Sequence, residues 1–322
     1  MIPERYATYD TTMTIGVVNF TSVLGDVGAT LTKVEANLRE AGAQGVDLVV
    51  FPEEALTGLA GCDICRSGAG HCDYHHGLAE TVPGPSTERI AVLCAEHDLY
   101  TAIGMVERDA DDPEILYNAA AFIGPEGVQG TYRKLHLGSL PWVTEGVTFT
   151  PGSSLPVFET RFGPVGVQIC YDFWFNPELS RLLALKGARV IVNCCGTFAG
   201  PGKRDYMVQT TATRAQENLC YVASANHVGG ERSADSYSAG QVDEGRAADM
   251  LGHSTIAGPA FPRFSQVLAE AGDTEEMVTA TVSFEKLHRW EPIFPWRTWR
   301  ATHQTGVSRL IATEFAALAE PH

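Results

Sequence analysis

Val165-Gly166-Val167-Gln168-Ile169-Cys170, followed at once by Tyr171-Asp172-Phe173-Trp174, is the stretch on which the fold turns. An apolar run of strand length delivers a thiol to a turn, where the next backbone N–H groups can receive an oxyanion. A helix from about Pro177 to Lys186 and a second apolar run, Val190 to Asn193, complete a β-α-β-like unit. Cysteine is among the most buried residue types, however, and this chain has 8 of them. Cys170 needs other residues to single it out.

The same alternation runs outward in both directions. Met13 to Phe20 reads as a strand, Ala29 to Ala43 as an amphipathic helix and Asp47 to Phe51 as a strand buried on both faces. Behind Pro83-Gly84-Pro85, Ser86 opens a helix through about His97. Leu99 to Val106, Tyr117 to Ile123 and Gly127 to Tyr132 read as successive strands. A helix ending near Asn218 leads to the strand Cys220 to Ala225, and strands near Ser254 and from Met277 to Val282 close the body. Such alternation predicts α/β layers with helices outside sheets.

Two segments select Cys170. Val49-Val50-Phe51-Pro52-Glu53-Glu54 is an apolar strand ending on a carboxylate, and Thr131-Tyr132-Arg133-Lys134-Leu135-His136-Leu137 places a lysine after a β-like stretch. Taken singly, Glu53 reads as a loop carboxylate and Lys134 as a solvated charge. Together and in this order, Glu53, Lys134 and Cys170 resemble the catalytic set of the nitrilase, or carbon-nitrogen hydrolase, superfamily, in its amidase or N-carbamoyl hydrolase branch. The resemblance continues through Glu145 in Glu145-Gly146-Val147-Thr148-Phe149-Thr150-Pro151-Gly152, then Arg214-Ala215-Gln216-Glu217-Asn218, Ala225-Asn226 and Gly252-His253-Ser254-Thr255-Ile256. It implies a four-layer αββα sandwich of two stacked mixed sheets covered by helices, and a homodimer or larger homo-oligomer.

The chemistry of such a set is explicit. A thiol of ordinary pKa ~8.5 is little ionised at neutral pH, so a carboxylate that accepts its proton activates it. Glu53 is the expected base, and Lys134 with the Tyr171 backbone N–H would offset a tetrahedral oxyanion. By resemblance Glu145 orients Lys134 and substrate. Trp142, Tyr171, Phe173, Trp174, Cys195 and Gly196 are the expected substrate-binding residues, while Tyr132 and His136 flank the lysine. Two departures qualify the resemblance: Phe175-Asn176-Pro177-Glu178 carries an additional Asn176, and Tyr171-Asp172 stands where nitrile-hydrolysing members often have Trp-Glu. Hydrolysis of an amide or ureido C–N bond is therefore expected over nitrile hydrolysis, with acyl transfer or a silent scaffold as alternatives.

Composition narrows the remaining classes. At 322 residues and 44% hydrophobic content the chain can build a large core, and a net charge of −16 repels nucleic acid. Residues 1–11 read as a lead segment, 12–284 as the hydrolase domain, and 285–322 as a tail whose Trp290 to Trp296 packs on a neighbouring subunit or on its own core. Met1 to Thr12 lack the pattern of a signal peptide and no run reaches membrane-span length, so a cytoplasmic protein with reduced thiols and no membrane partner is expected. The chemistry needs no cofactor. Cys62-x-x-Cys65, His71-Cys72 and His75-His76 could in principle hold zinc, but their spacing is irregular, and the expectation is a pocket-edge loop without stoichiometric metal.

Overall fold

The computed structural model describes residues 3–59, 72–140, 143–229 and 250–318. Its strands are β1 (Thr12–Asn19), β2 (Leu48–Val50), β3 (Tyr100–Arg108), β4 (Leu116–Gly124), β5 (Gly127–Arg133), β6 (Ser139–Leu140), β7 (Val143–Thr144), β8 (Val157–Phe158), β9 (Val165–Ile169), β10 (Val190–Cys195), β11 (Tyr221–Asn226), β12 (Val228–Gly229), β13 (Met250–Leu251), β14 (Thr255–Ala257), β15 (Val267–Glu270) and β16 (Glu276–Ser283). Two six-stranded mixed sheets result, ordered β16-β1-β2-β3-β4-β5 and β15-β14-β11-β10-β9-β8.

Side-chain alternation explains the layering. In β1 and β2, Ile15, Val17, Leu48 and Val50 face a core shared with Val165, Val167, Ile169, Val190 and Val192 of the other sheet. Their neighbours Val18 and Val49 face the opposite way, onto Val34 and Leu38 of the helix Val27–Ala43 and Ile90 and Leu93 of the helix Pro85–His97. On the far side Ile191 and Val222 meet Leu183 of the helix Pro177–Leu185 and Met207 and Ala215 of the helix Lys203–Asn218. Successive residues of a strand point to opposite faces, so apolar runs without polar alternation are what a sheet covered on both faces requires. The layers are the expected helix, sheet, sheet, helix.

Several boundaries shift. The helix read from Ser86 begins at Pro85, because Gly84 is its N-cap and the Thr87 hydroxyl accepts the Gly84 N–H at 2.9 Å. Cys170 falls outside its strand, which ends at Ile169, and the short helix Tyr171–Phe175 follows it. The aromatic segment after residue 285 covers its own chain: Trp290 packs on Phe261, Phe264 and Phe294, with ring centres 5.0, 5.0 and 5.9 Å away. Beyond it the helix Thr305–Leu318 buries none of its residues and exposes Val307, Leu310, Ile311, Phe315 and Leu318. Among the described residues no helix is long and apolar enough to cross a membrane.

Candidate active site

Both sheets contribute to one cluster at their strand ends. Glu53 follows β2 in a turn whose next residue, Glu54, has φ 47°. This turn lies directly against β3: a Cβ on Gly104 would come within 2.3 Å of Pro52 O and 2.4 Å of Glu54 N, so only glycine lets the strand approach. Gly104 N donates to Pro52 O at 3.0 Å and Leu56 N to Gly104 O at 3.1 Å, which fixes the carboxylate's backbone. Lys134 follows β5 and is held by its own N–H to Asn118 O and by Gly152 N–H to its carbonyl, both 2.8 Å.

The charged groups are deeply buried, with Glu53 and Lys134 each 2% exposed and Glu145 4%. Lys134 Nζ lies 2.7 Å from Glu53 Oε1 and 2.8 Å from Glu145 Oε1, so one ammonium bridges two carboxylates. Glu145 Oε2 accepts the Gly138 N–H. Burial, with repulsion from Glu53, raises the Glu145 carboxyl to about 7 against the pull of Lys134. Glu53 Oε1 takes a second donor, Asn118 Nδ2 at 2.9 Å, whereas Oε2 accepts none of the described hydrogen bonds. That free oxygen lies on the side of Gly196, where a Cβ would meet it at 3.4 Å.

Cys170 approaches from the second sheet. Its backbone is held at φ 43°, in the left-handed region that costs a non-glycine residue on the order of 1–3 kcal/mol. Cys170 N donates to Cys194 O and Asn193 Oδ1 at 3.0 Å, and Cys170 O accepts from Phe173 N and Trp174 N. These bonds hold the strained corner. The Tyr171 N–H, between them, makes no hydrogen bond among the described residues. Cys170 as a residue is partly exposed, and its sulfur faces Gly196 O at 4.0 Å. Burial and then Glu53 push the thiol well above its ordinary pKa while Lys134 opposes them, so it rests protonated beside all three charges.

Asp172 ties the two halves together. Wholly buried, it accepts from Tyr132 Oη at 2.6 Å, from Leu135 N at 3.0 Å and from His136 N at 2.8 Å, which anchors the turn after Lys134 to the corner after Cys170. This gives Tyr132 and His136 a role in holding that turn. Asn118, Asp172 and His227 were not read as site residues. His227 Nε2 sits 2.6 Å from Glu53 O, and burial lowers its pKa, keeping the ring neutral. A polar Asn118 inside the otherwise apolar strand Leu116–Gly124 is the signal available in advance, since a buried amide needs partners.

The expected substrate-binding residues divide. Tyr171 is half-buried beside the thiol with its ring on Phe175 at 4.7 Å, and Gly196 lines the same side. Phe173 and Cys195 are corrected: both are fully buried in the helix-facing core, and Cys195 Sγ is 3.1 Å from Ala225 O. Strand alternation turns Cys194 toward the other sheet and Cys195 toward the helices, so neither side chain reaches the cluster. Burial raises both thiols above their ordinary pKa, as it does that of Cys170; what sets these two apart is that both side chains are fully buried. Trp174 is buried against Tyr206. Trp142, Cys62, Cys65 and His71 lie outside the described residues. Of the remaining loop, Cys72 Sγ is 2.9 Å from His75 Nδ1, whose Nε2 faces Glu54 Oε2 at 3.7 Å.

Comparisons with known proteins bear on the family and the fold. A family model described as carbon-nitrogen hydrolase matches residues 14–292. A nitrilase of Pyrococcus abyssi is 34% identical over 249 residues, 77% of this chain and 80% of that protein. The omega-amidase NIT2 of Xenopus tropicalis is 32% identical over 259 residues, covering 78% and 81%. Among solved structures, a carbon-nitrogen hydrolase from Helicobacter pylori superposes with a TM-score of 0.76 at 21% identity, covering 93% of this chain and 98% of that one. Nit3 of Saccharomyces cerevisiae, described as a member of branch 10 of the nitrilase superfamily, gives 0.72 at 21% identity, covering 90% and 96%. The structural neighbours establish the sandwich fold.

Proposed function

The chain belongs to the carbon-nitrogen hydrolase, or nitrilase, superfamily, and from that premise we propose that it hydrolyses the C–N bond of a small amide or N-carbamoyl compound through a thioester on Cys170. Glu53 Oε2 takes the thiol proton as sulfur attacks the carbonyl carbon. Lys134 Nζ and the Tyr171 N–H receive the resulting oxyanion. When the C–N bond breaks, Glu53 returns the proton to the departing nitrogen, and ammonia or an amine leaves. Water then attacks the thioester and gives its proton to Glu53; the C–S bond breaks and sulfur takes that proton back. Glu145 holds Lys134 in place throughout.

The observation that carries this reading is the asymmetry of Glu53. Its Oε1 is committed to Lys134 and Asn118, and its Oε2 is left free on the side of Gly196, whose carbonyl oxygen is 4.0 Å from Cys170 Sγ. A base next to a thiol that rests neutral must take the proton as attack proceeds, and the oxygen that no other donor occupies is the better placed to do so. The names of the relatives, omega-amidase and nitrilase, support C–N chemistry and leave both amide and nitrile substrates to be compared. A panel of primary amides, N-carbamoyl amines and amino acids, and matched nitriles, read by ammonia release and by intact mass, tests the proposal. Amide or carbamoyl substrates should be turned over faster than nitriles, with an acyl adduct that Cys170→Ala abolishes. Ammonia release that survives Cys170→Ala would sink it.

A further inference from the structure

Directly after the reacting base stands a second buried carboxylate that the reaction does not use. Glu54 is 3% exposed, and its backbone sits at φ 47°, a conformation that a residue other than glycine keeps only where its surroundings hold it. Glu53 is its neighbour in the chain, so any swing of this turn moves the base. The turn's backbone is closed by the Gly58 N–H on Glu54 O at 2.7 Å, and His227 Nε2 takes the Glu53 carbonyl at 2.6 Å. Those bonds leave the Glu54 carboxylate itself to be placed, and an ion removed from water needs a partner.

The short helix Asp73–Leu78 brings one. His75, 2% exposed, turns Nε2 toward Glu54 Oε2 at 3.7 Å. Its Nδ1 is 2.9 Å from Cys72 Sγ, and its ring stands edge-on to Phe149 with 5.2 Å between centres. A carboxylate can only accept, so Nε2 carries a proton; in the neutral ring Nδ1 then accepts from the Cys72 thiol. The same helix is fastened to the turn a second time, by Tyr74 Oη donating to Thr57 O at 3.0 Å. Phe149 lies one turn beyond Glu145, with its N–H on Glu145 O at 2.8 Å. The imidazole therefore stands between the segments that carry Glu53 and Glu145, the two carboxylates bridged by Lys134. Burial raises the Glu54 carboxyl and Glu53 adds to the rise, while His75 pulls it down, as a partner does.

We propose that His75 is a positioning residue for the base: by pairing with Glu54 it keeps that carboxylate from competing for Lys134 and holds the turn that presents Glu53 to the thiol. This rests on the Cys170 reading and deepens it. Lys134 already joins two carboxylates, and a third left without its partner is drawn to the same cation. The base then shifts, and a proton acceptor displaced by about 1 Å slows the chemical step by up to about a hundredfold. His75 itself stays away from the substrate, so the loss falls on kcat rather than on KM.

The test uses the full chain and an amide that the wild type turns over, with kcat and KM read from ammonia release. A second readout needs no substrate: Cys170 sulfur displaces iodide from iodoacetamide as the thiol proton passes to Glu53, and intact mass, with Cys170→Ala as the blank, follows the rate. His75→Leu should lower kcat and the alkylation rate by about tenfold or more while KM stays within about twofold. His75→Gln, whose amide N–H can still face Glu54, should lose less than about threefold. Glu54→Gln removes the stranded charge, so adding it to His75→Leu should bring both rates back to within about threefold of the wild type, which a ring needed only for packing would not allow. If His75→Leu does not fold, folding regained in the double variant carries the same meaning. Wild-type kcat and alkylation in both His75 variants, or a loss of activity or folding that Glu54→Gln leaves untouched, overturns the assignment. Failure of the underlying reading looks different: no amide yields ammonia, whereas alkylation of Cys170 still answers to His75.

Discussion

The two halves of the site are built on opposite plans. The half from the first sheet, with Glu53, Lys134 and Glu145, is buried, with each charged group bonded to at least one other and Lys134 shared between two carboxylates. The half from the second sheet is a strained corner at φ 43°, a partly exposed residue whose thiol is neutral. Charges that stabilise a transition state must be in place before it forms, since moving them during reaction raises the barrier. A nucleophile must instead remain open to the substrate, and a strained corner presents it without burying it.

Lys134→Met is the strongest way to break this contrast. It leaves two buried carboxylates facing each other without their cation, and should lower stability by about 3–5 kcal/mol in urea unfolding. Cys170→Ala should change stability by less than about 1 kcal/mol. Equal losses from the two variants would mean that the halves are not differently built.

Asp172 is where the contrast depends on a link. Asp172→Asn turns a shared acceptor into a group that cannot serve the Tyr132, Leu135 and His136 donors together. Lys134 should drift relative to Cys170, and kcat should fall about a hundredfold, as misplacements near 1 Å do. A wild-type kcat in steady-state assays would show that the halves align without this tie.

The smallest effect sharpens the charged half alone. Glu145 has its carboxyl raised from 4.5 to about 7. For an acid raised by folding, the stabilising contribution is complete below the unfolded value and is lost as pH rises through the folded one. Its share of stability should therefore decline from pH 4.5 to beyond 7, by on the order of 3 kcal/mol. Glu145→Gln should flatten that decline in urea midpoints measured at pH 5 and pH 7.5. An unchanged slope would place the cost of the bridged pair elsewhere.

How much was readable in advance follows the same division. Apolar runs such as Val190 to Asn193 read as doubly covered strands because a covered sheet leaves no face for polar alternation. Glu53, Lys134 and Cys170 could be proposed from the sequence because their order along the chain resembles a family's catalytic set, not because any one of them stands out alone. Phe173 and Cys195 were misassigned because closeness in sequence to a reactive residue says nothing about the face on which a side chain leaves its backbone.

The order of residues by itself determined the layers and the strand ends, which depend on periodicity, and through a resemblance it pointed to Glu53, Lys134 and Cys170 as the candidate reacting groups. Only the tertiary structure decided that Glu53 keeps one oxygen free and that Asp172 ties the lysine turn to the thiol corner. Each of those depends on where two distant segments meet, and the direction of a hydrogen bond between them exists only once both backbones are in place.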